Sequence, residues 1–199
     1  MSMSLPLCVP VALRPVASMD AQAMQEFVVG LGAASRRWRF HGNVNACTPG
    51  LLRQLTQVDG RRHVAFVACA GDRIVGEARY VVGPEGDEAE FAIAVADAFR
   101  GQGVGGALLA ALTDAARCAG IARLYGDVLP DNDRMAAFMS CQGFTIDPSR
   151  WDDAGADAVR WQRTMATTSR GPTRDRLAAW RMRVLPQLLS RFAGRVAAH

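Results

Sequence analysis

With 199 residues, half of them apolar and 21% charged, the chain has enough apolar material for one full-sized core and too much for a disordered tail. No run of about 18 or more uninterrupted apolar residues marks a membrane span, and no basic region followed by a small-residue cleavage site marks a secretory signal, so the cytoplasm is the expected setting. The formal net charge of +4 is unevenly spread: residues 1–163 hold 16 Arg against 18 acidic residues, and 164–199 hold 7 Arg against Asp175 alone, so the body is not expected to bind nucleic acid.

In chain order, a short apolar start at 11–14 predicts a strand. A helix then opens at Ser18 or Asp20, with Ala23, Met24, Phe27, Val28 and Leu31 at helical spacing and Gly30 and Gly32 closing it. The stretch 35–42 is Arg-rich and aromatic, and it lines an acceptor side or packs Trp38 and Phe40 under the core. Thr48 and Pro49 open a second short helix carrying Leu51, Leu52 and Leu55 to about Gln57. Three apolar runs at 63–70, 73–82 and 88–96, separated by turn residues, predict an antiparallel meander. Its third run is unbroken from Phe91 to Ala96, so its final half is expected to be covered on both faces.

A Gly-rich turn then leads into a long helix at 105–119, stopped by Gly120. A strand follows at 121–129. Pro130, Asp131 and Asn132 read as a helix start, 135–141 as a short helix, and Gly143 as its stop before 144–146. A closing strand is expected within 158–165. From 166 a linker gives way to an Arg-studded amphipathic tail, a candidate for weak contact with anionic membrane or nucleic acid. The domain boundaries expected are 9–165 and 166–199.

Five cysteines, odd in number and without any C-x-x-C, argue for reduced core thiols rather than a disulfide framework or a zinc site. His41 and His63 have no ligand-spaced partners, and no metal is expected. All basic residues are Arg; a chain without Lys has no lysine side chain of its own to modify, although codon bias is the simpler cause.

The chemistry concentrates after the third meander strand, in Arg100-Gly101-Gln102-Gly103-Val104-Gly105-Gly106. Glycines free a backbone to approach a ligand, and their N–H groups with the helix N-terminus suit a phosphate; Arg100 adds a charge. No Gly-Lys-Ser/Thr ending is present and the preceding strands form no βαβ unit, which disfavours nucleoside triphosphates and dinucleotides.

The segment 91–106 resembles motif A of the GCN5-related N-acetyltransferase (GNAT) family, whose Arg/Gln-x-x-Gly-x-Gly/Ala signature matches Arg100 to Gly105; Asn132 and Gly143-Phe144 fit the family's next motif. The resemblance covers about residues 9–165. It implies an α/β (α+β) GNAT fold, with a mixed, mostly antiparallel sheet flanked by helices. It also implies acetyl-CoA as cosubstrate, its diphosphate at Arg100, Gly101, Gln102, Gly103, Val104, Gly105 and Gly106, and its pantetheine along Ile93, Ala94 and Val95 and near Asn132. A closer likeness is to the acetyltransferase domain of bacterial Pat-type protein-lysine acetyltransferases, through Ser35, Arg36, Arg39 and Phe40, the stretch from Leu51 to Gln57, and Glu88, Glu90, Phe91 and Ala92. That likeness puts the general base at Glu90.

Acetyl transfer to an amine needs a neutral nitrogen, and a Lys side chain in water has a pKa of about 10.4, so a base must stand beside it. Strand alternation places Glu88 and Glu90 on one face and Phe91, Ile93 and Val95 on the other. Glu90 is the candidate base, against the alternative of an ion pair with Arg79; Glu88 reads as a solvated edge charge. Where many relatives carry a Tyr as general acid, this chain has Met139, and Tyr125 reads as structural. Asn132 serves as helix cap, pantetheine contact or both. The function expected is N-acetyl transfer to a protein lysine, with a small amine as the alternative acceptor and a non-catalytic CoA-sensing module as the third reading.

Overall fold

The computed structural model describes residues 10–42, 44, 46–150 and 157–165. The linker and Arg-rich tail expected from 166 onward lie outside them. Seven strands form one mixed sheet: β1 (Val11–Pro15), β2 (His63–Ala70), β3 (Arg73–Val82), β4 (Glu88–Val95), β5 (Arg123–Val128), β6 (Thr145–Ile146) and β7 (Val159–Thr164), in the spatial order β1-β2-β3-β4-β5-β7-β6. Every neighbouring pair is antiparallel except β4 and β5. That parallel pair requires a crossover, supplied by the long helix between them.

Five helices flank the sheet: α1 (Ala21–Gly30), α2 (Ala33–Phe40), α3 (Pro49–Thr56), α4 (Val104–Ala119) and α5 (Asp133–Cys141). On one face, Leu108, Leu109 and Leu112 of α4 are buried with Phe66, Tyr80 and Phe91 of the sheet. On the other, Met24, Phe27 and Val28 of α1 meet Val67 and Ile74. Full burial of each such side chain contributes about 1.5–3 kcal/mol, so the helical periodicity read from α1 and α4 is also the principal source of the fold's stability. The four described cysteines, Cys47, Cys69, Cys118 and Cys141, are free. No helix among the described residues is long and apolar enough to cross a membrane.

The meander, the long helix and the closing strand fall within a residue or so of their expected bounds. Two features differ. The Arg-rich stretch is helix α2, which buries the polar Ser35 rather than an apolar stripe, so apolar periodicity could not reveal it. The final half of β4 is not covered on both faces: Phe91 and Ile93 are buried, but Ala92, Ala94 and Val95 stay partly open, because that part of the strand borders a cleft.

The helix starts follow their capping residues. The Thr48 hydroxyl accepts from Leu51 N–H at 3.2 Å, and the Asn132 side chain accepts from Met135 N–H at 3.2 Å. Asn132→Ala should therefore cost about 1 kcal/mol of stability in chemical denaturation, with Asn132→Ser recovering most of it; an Ala variant as stable as the parent would remove the cap from the account.

Candidate active site

The site begins where two strands part. β4 and β5 pair only from Glu88–Arg123 through Ala89–Leu124 to Glu90–Tyr125, so beyond Glu90 the β5-facing edge of β4 has no strand partner among the described residues. Phe91 fills the root of the split against Gly126, where a Cβ would come within 2.8 Å of the Phe91 ring and 3.0 Å of its carbonyl oxygen. Only glycine permits this approach.

The opening forms a cleft in two halves. One, of about 340 Å³, is lined by Ala94, Val95, Arg100 and the glycine turn. The other, of about 500 Å³, is lined by Glu90, Ala92, Arg79, His63, Asp127 and Met139. Trp38, Arg39, Ile93, Asn132 and Met135 border both halves and so mark the waist between them.

At the first half, Gly101 (φ +75°) and Gly103 (φ +81°) occupy the left-handed region, and a Cβ on either would meet nothing within 4 Å. The turn thus presents main chain to open space. The first α4 bond runs from Ala107 N–H to the Gly103 carbonyl at 3.0 Å, so the preceding N–H groups of Val104, Gly105 and Gly106 are the helix's open donors. The Val104 side chain itself is core. Gln102 is exposed and its amide donates to the Ala98 carbonyl at 2.9 Å; it does not line the cleft.

Arg100, expected to add a charge at the turn, lines this half of the cleft. Its guanidinium folds back to donate to the Ser35 hydroxyl at 2.6 Å and the Val95 carbonyl at 3.3 Å, and it pairs with Asp97 at 2.7 Å. Asp97 in turn accepts from Ser35 at 2.8 Å and Gly32 N–H at 3.2 Å. Arg100 therefore ties the turn to the start of α2. At the other end of α2, Arg37 and Trp38 both reach Asp131, beside Asn132.

In the second half, Glu90 is exposed on β4, opposite Val81 and level with Tyr125. It forms no salt bridge among the described residues, and Arg79, its expected alternative partner, is bound to Glu77 instead. Glu88 departs from the solvated charge expected, because Arg123 binds it at 2.6 Å. Burial, and then the nearby Glu90 charge, push the Tyr125 hydroxyl above its usual range. Arg160 lies 4.3 Å from that ring and pairs with Asp127 at 2.8 Å. Met139 is fully buried, which leaves the position of the missing acid apolar.

Between α2 and β3 lies a buried ion cluster that the sequence reading did not assemble. Glu77 accepts from Arg39 at 3.1 Å and also binds Arg79. Arg79 donates onward to the Gln54 and Leu55 carbonyls of α3 at 3.1 and 2.9 Å, and His63 Nε2 stands 3.0 Å from it. Burial alone would raise the Glu77 carboxyl; the charges of Arg39 and Arg79 together outweigh it and hold the group below the usual carboxylate range. Burial and then Arg79 push His63 below its ordinary value. The signal in the sequence was two charges, Glu77 and Arg79, alternating within an otherwise apolar strand. Among the described residues, no group of three or more His, Cys, Asp or Glu could hold a metal ion.

Residues 29–144 match the model of the acetyltransferase (GNAT) family. The chain belongs to this family. An acetyltransferase of Pseudomonas aeruginosa is 32% identical to it over 138 residues, covering 67% of this chain and 74% of that one. Among solved structures, the GNAT domain of Pat from S. lividans aligns with a TM-score of 0.71 at 28% identity, over 77% of this chain and 89% of that chain. A GNAT phosphinothricin acetyltransferase from Sinorhizobium meliloti, solved in complex with acetyl-CoA, shares the fold at a TM-score of 0.65 and 18% identity, over 83% of this chain and 94% of that chain. The GNAT fold and the likeness to Pat expected from the motifs are both found. The matched span of the GNAT model contains Glu90, the glycine turn and Asn132.

Proposed function

We propose that this GNAT acetyltransferase moves an acetyl group from acetyl-CoA to a primary amine, with a protein lysine as the acceptor and the reducing cytoplasm as its setting. One observation carries the reading: the parting of β4 from β5 just past Glu90, beside a glycine turn with open α4 donors. The open space around Gly101, Gly103 and Gly106 fits a diphosphate, which the main chain of residues 101–106 would hold. The unpaired edge at Ile93, Ala94 and Val95 fits an amide-bearing pantetheine arm, with Asn132 alongside. Arg100 contributes by fixing the turn rather than by direct charge.

When bound, acetyl-CoA supplies an activated acyl group. The amine nitrogen forms a bond to the thioester carbonyl carbon, the C–S bond breaks, and CoA departs as thiolate. Glu90, directly or through one water, receives the proton the amine must lose. With Met139 buried where relatives place an acid, the thiolate leaves without a dedicated proton donor, which its pKa range near that of cysteine permits.

The Pat likeness of Ser35, Arg36, Arg39 and Phe40 favours a lysine acceptor. The half-cleft of about 500 Å³ is also large enough for a small amine, the second reading. Incubation with labelled acetyl-CoA, a lysine peptide and a panel of small amines decides between them: label in the peptide supports the first, and label only in small molecules overturns it. Gly103→Glu places a carboxylate in the cradle at a left-handed φ and should weaken CoA binding by calorimetry about tenfold or more. Unchanged binding would remove the diphosphate from this turn.

A further inference from the structure

The cluster of Arg39, Glu77 and Arg79 carries one positive charge in excess, because two guanidiniums share one carboxylate. All three side chains are at most 10% exposed. An unbalanced buried charge is costly unless something neutralises it. Neither arginine forms a salt bridge with Glu90 among the described residues.

The donors are also unequally used. The Arg79 guanidinium is spent on Glu77, His63 and the two α3 carbonyls. Arg39 directs its Nε and Nη2 to Glu77, and its Nη1 has no hydrogen-bond partner among the described residues. Arg39 borders both halves of the cleft, so this arginine with unused N–H donors stands at the waist. Under the proposed function, that is where the acyl end of the cosubstrate meets the acceptor.

We propose that Arg39 is a specificity-determining residue that receives a carboxylate at the far end of the acyl group, so that this enzyme accepts, besides acetyl-CoA, dicarboxylic acyl-CoA esters such as succinyl-CoA or malonyl-CoA. A guanidinium suits this task because it stays charged and offers donors in a fixed plane. Glu77 orients it by holding its other edge, and Arg79 holds Glu77. Position favours the acyl chain as the source of the carboxylate, since Arg39 borders the glycine-turn half as well as the acceptor half, whereas Arg79 lines the acceptor half alone. The covalent step is unchanged: amide C–N forms, C–S breaks, the amine proton goes to Glu90, and the distal carboxylate takes no part.

The inference rests on acyl-CoA binding in this cleft, and the test separates the two. Calorimetry with acetyl-, butyryl- and succinyl-CoA includes, in the last two, acyl groups of equal carbon number without and with the carboxylate. The wild type should bind succinyl-CoA at least tenfold more tightly than butyryl-CoA. Arg39→Gln should bring that ratio to about one, and Arg39→Lys should fall between, with thermal melts showing which variants are folded. Transfer to a lysine peptide should follow the same ratio. A wild-type ratio at or below one, or a ratio that a folded Arg39→Gln leaves intact, overturns the inference. So does discrimination that appears only between glycine and glycinamide as acceptors, which would place the carboxylate on the acceptor. If none of the three esters binds, it is the proposed function that fails.

Discussion

Glu90→Gln should lower kcat for acetyl transfer by about 10²- to 10³-fold, within the range of general-base catalysis, while CoA binding measured by calorimetry stays within about twofold. The amide keeps the shape of the side chain and removes its ability to take a proton. Glu90 is exposed and forms no salt bridge among the described residues, so its replacement leaves no charge stranded and no core contact broken. A base is needed because the amine is almost wholly protonated at neutral pH, its pKa being about 10.4. Activity of the variant should therefore recover as pH rises toward that value, whereas a residue that only positions the acceptor would give a parallel profile. An unchanged kcat, or a loss of CoA binding, would remove Glu90 from the role.

Glu77→Ala should be the most destabilising single change in the domain, about 3–5 kcal/mol by denaturant titration, because it leaves the buried Arg39 and Arg79 facing each other without their shared counter-ion. At about 2–4 °C per kcal/mol for a domain of this size, the melting temperature should fall by roughly 10 °C. A loss below about 1 kcal/mol would mean that the cluster relaxes or hydrates. The acid side of the stability profile gives a second readout. The folded state lowers the Glu77 pKa, so its contribution is full above its unfolded pKa, about 4.3, and is lost as pH falls through the lower folded value. The fold also lowers the His63 pKa. Between its unfolded value of about 6.5 and its folded value, the unfolded chain binds more protons. Wild-type stability should thus begin to decline below about pH 6.5 and decline again below about pH 4, and Glu77→Gln should make the second decline shallower, the remainder coming from Asp20, Asp59 and Asp147, which the fold also holds below the usual carboxylate range.

Much of this was legible in residue order. The apolar runs at 63–70, 73–82 and 88–96, set apart by turn residues, pointed to the meander, and β2 and β3 read as near-continuous apolar runs because both of their faces are buried. The segment 105–119 between a Gly-rich turn and Gly120 pointed to α4, whose left-handed Gly120 is its observed C-cap. What escaped notice lies where burial is polar or where partners are far apart in sequence. Helix α2 turns Ser35 and Arg39 inward, a pair one helical turn apart that reads as surface. Its Arg39 meets a Glu77 that is 38 positions away, a pairing no local pattern contains. The partners of Arg100, Ser35 and Asp97, come from α2 and from its own turn, so no local pattern pairs it with Ser35. The extent of β4–β5 pairing, on which the cleft depends, is set by the bulk of Phe91 against Gly126 rather than by either strand's periodicity.

Because α2 is fastened at Asp97 on one side and at Asp131 on the other, it crosses the waist of the cleft as a footbridge does a channel. An elongated guest spanning both halves would lie against Trp38 and Arg39 of this helix. The Arg37–Asp131 contact is roughly half exposed on both partners, and such pairs contribute at most about 1 kcal/mol. Lifting at that end is therefore inexpensive, whereas the end anchored by Ser35, Asp97 and Arg100 stays put. Any movement of α2 away from the cleft is thus expected to start beside Trp38.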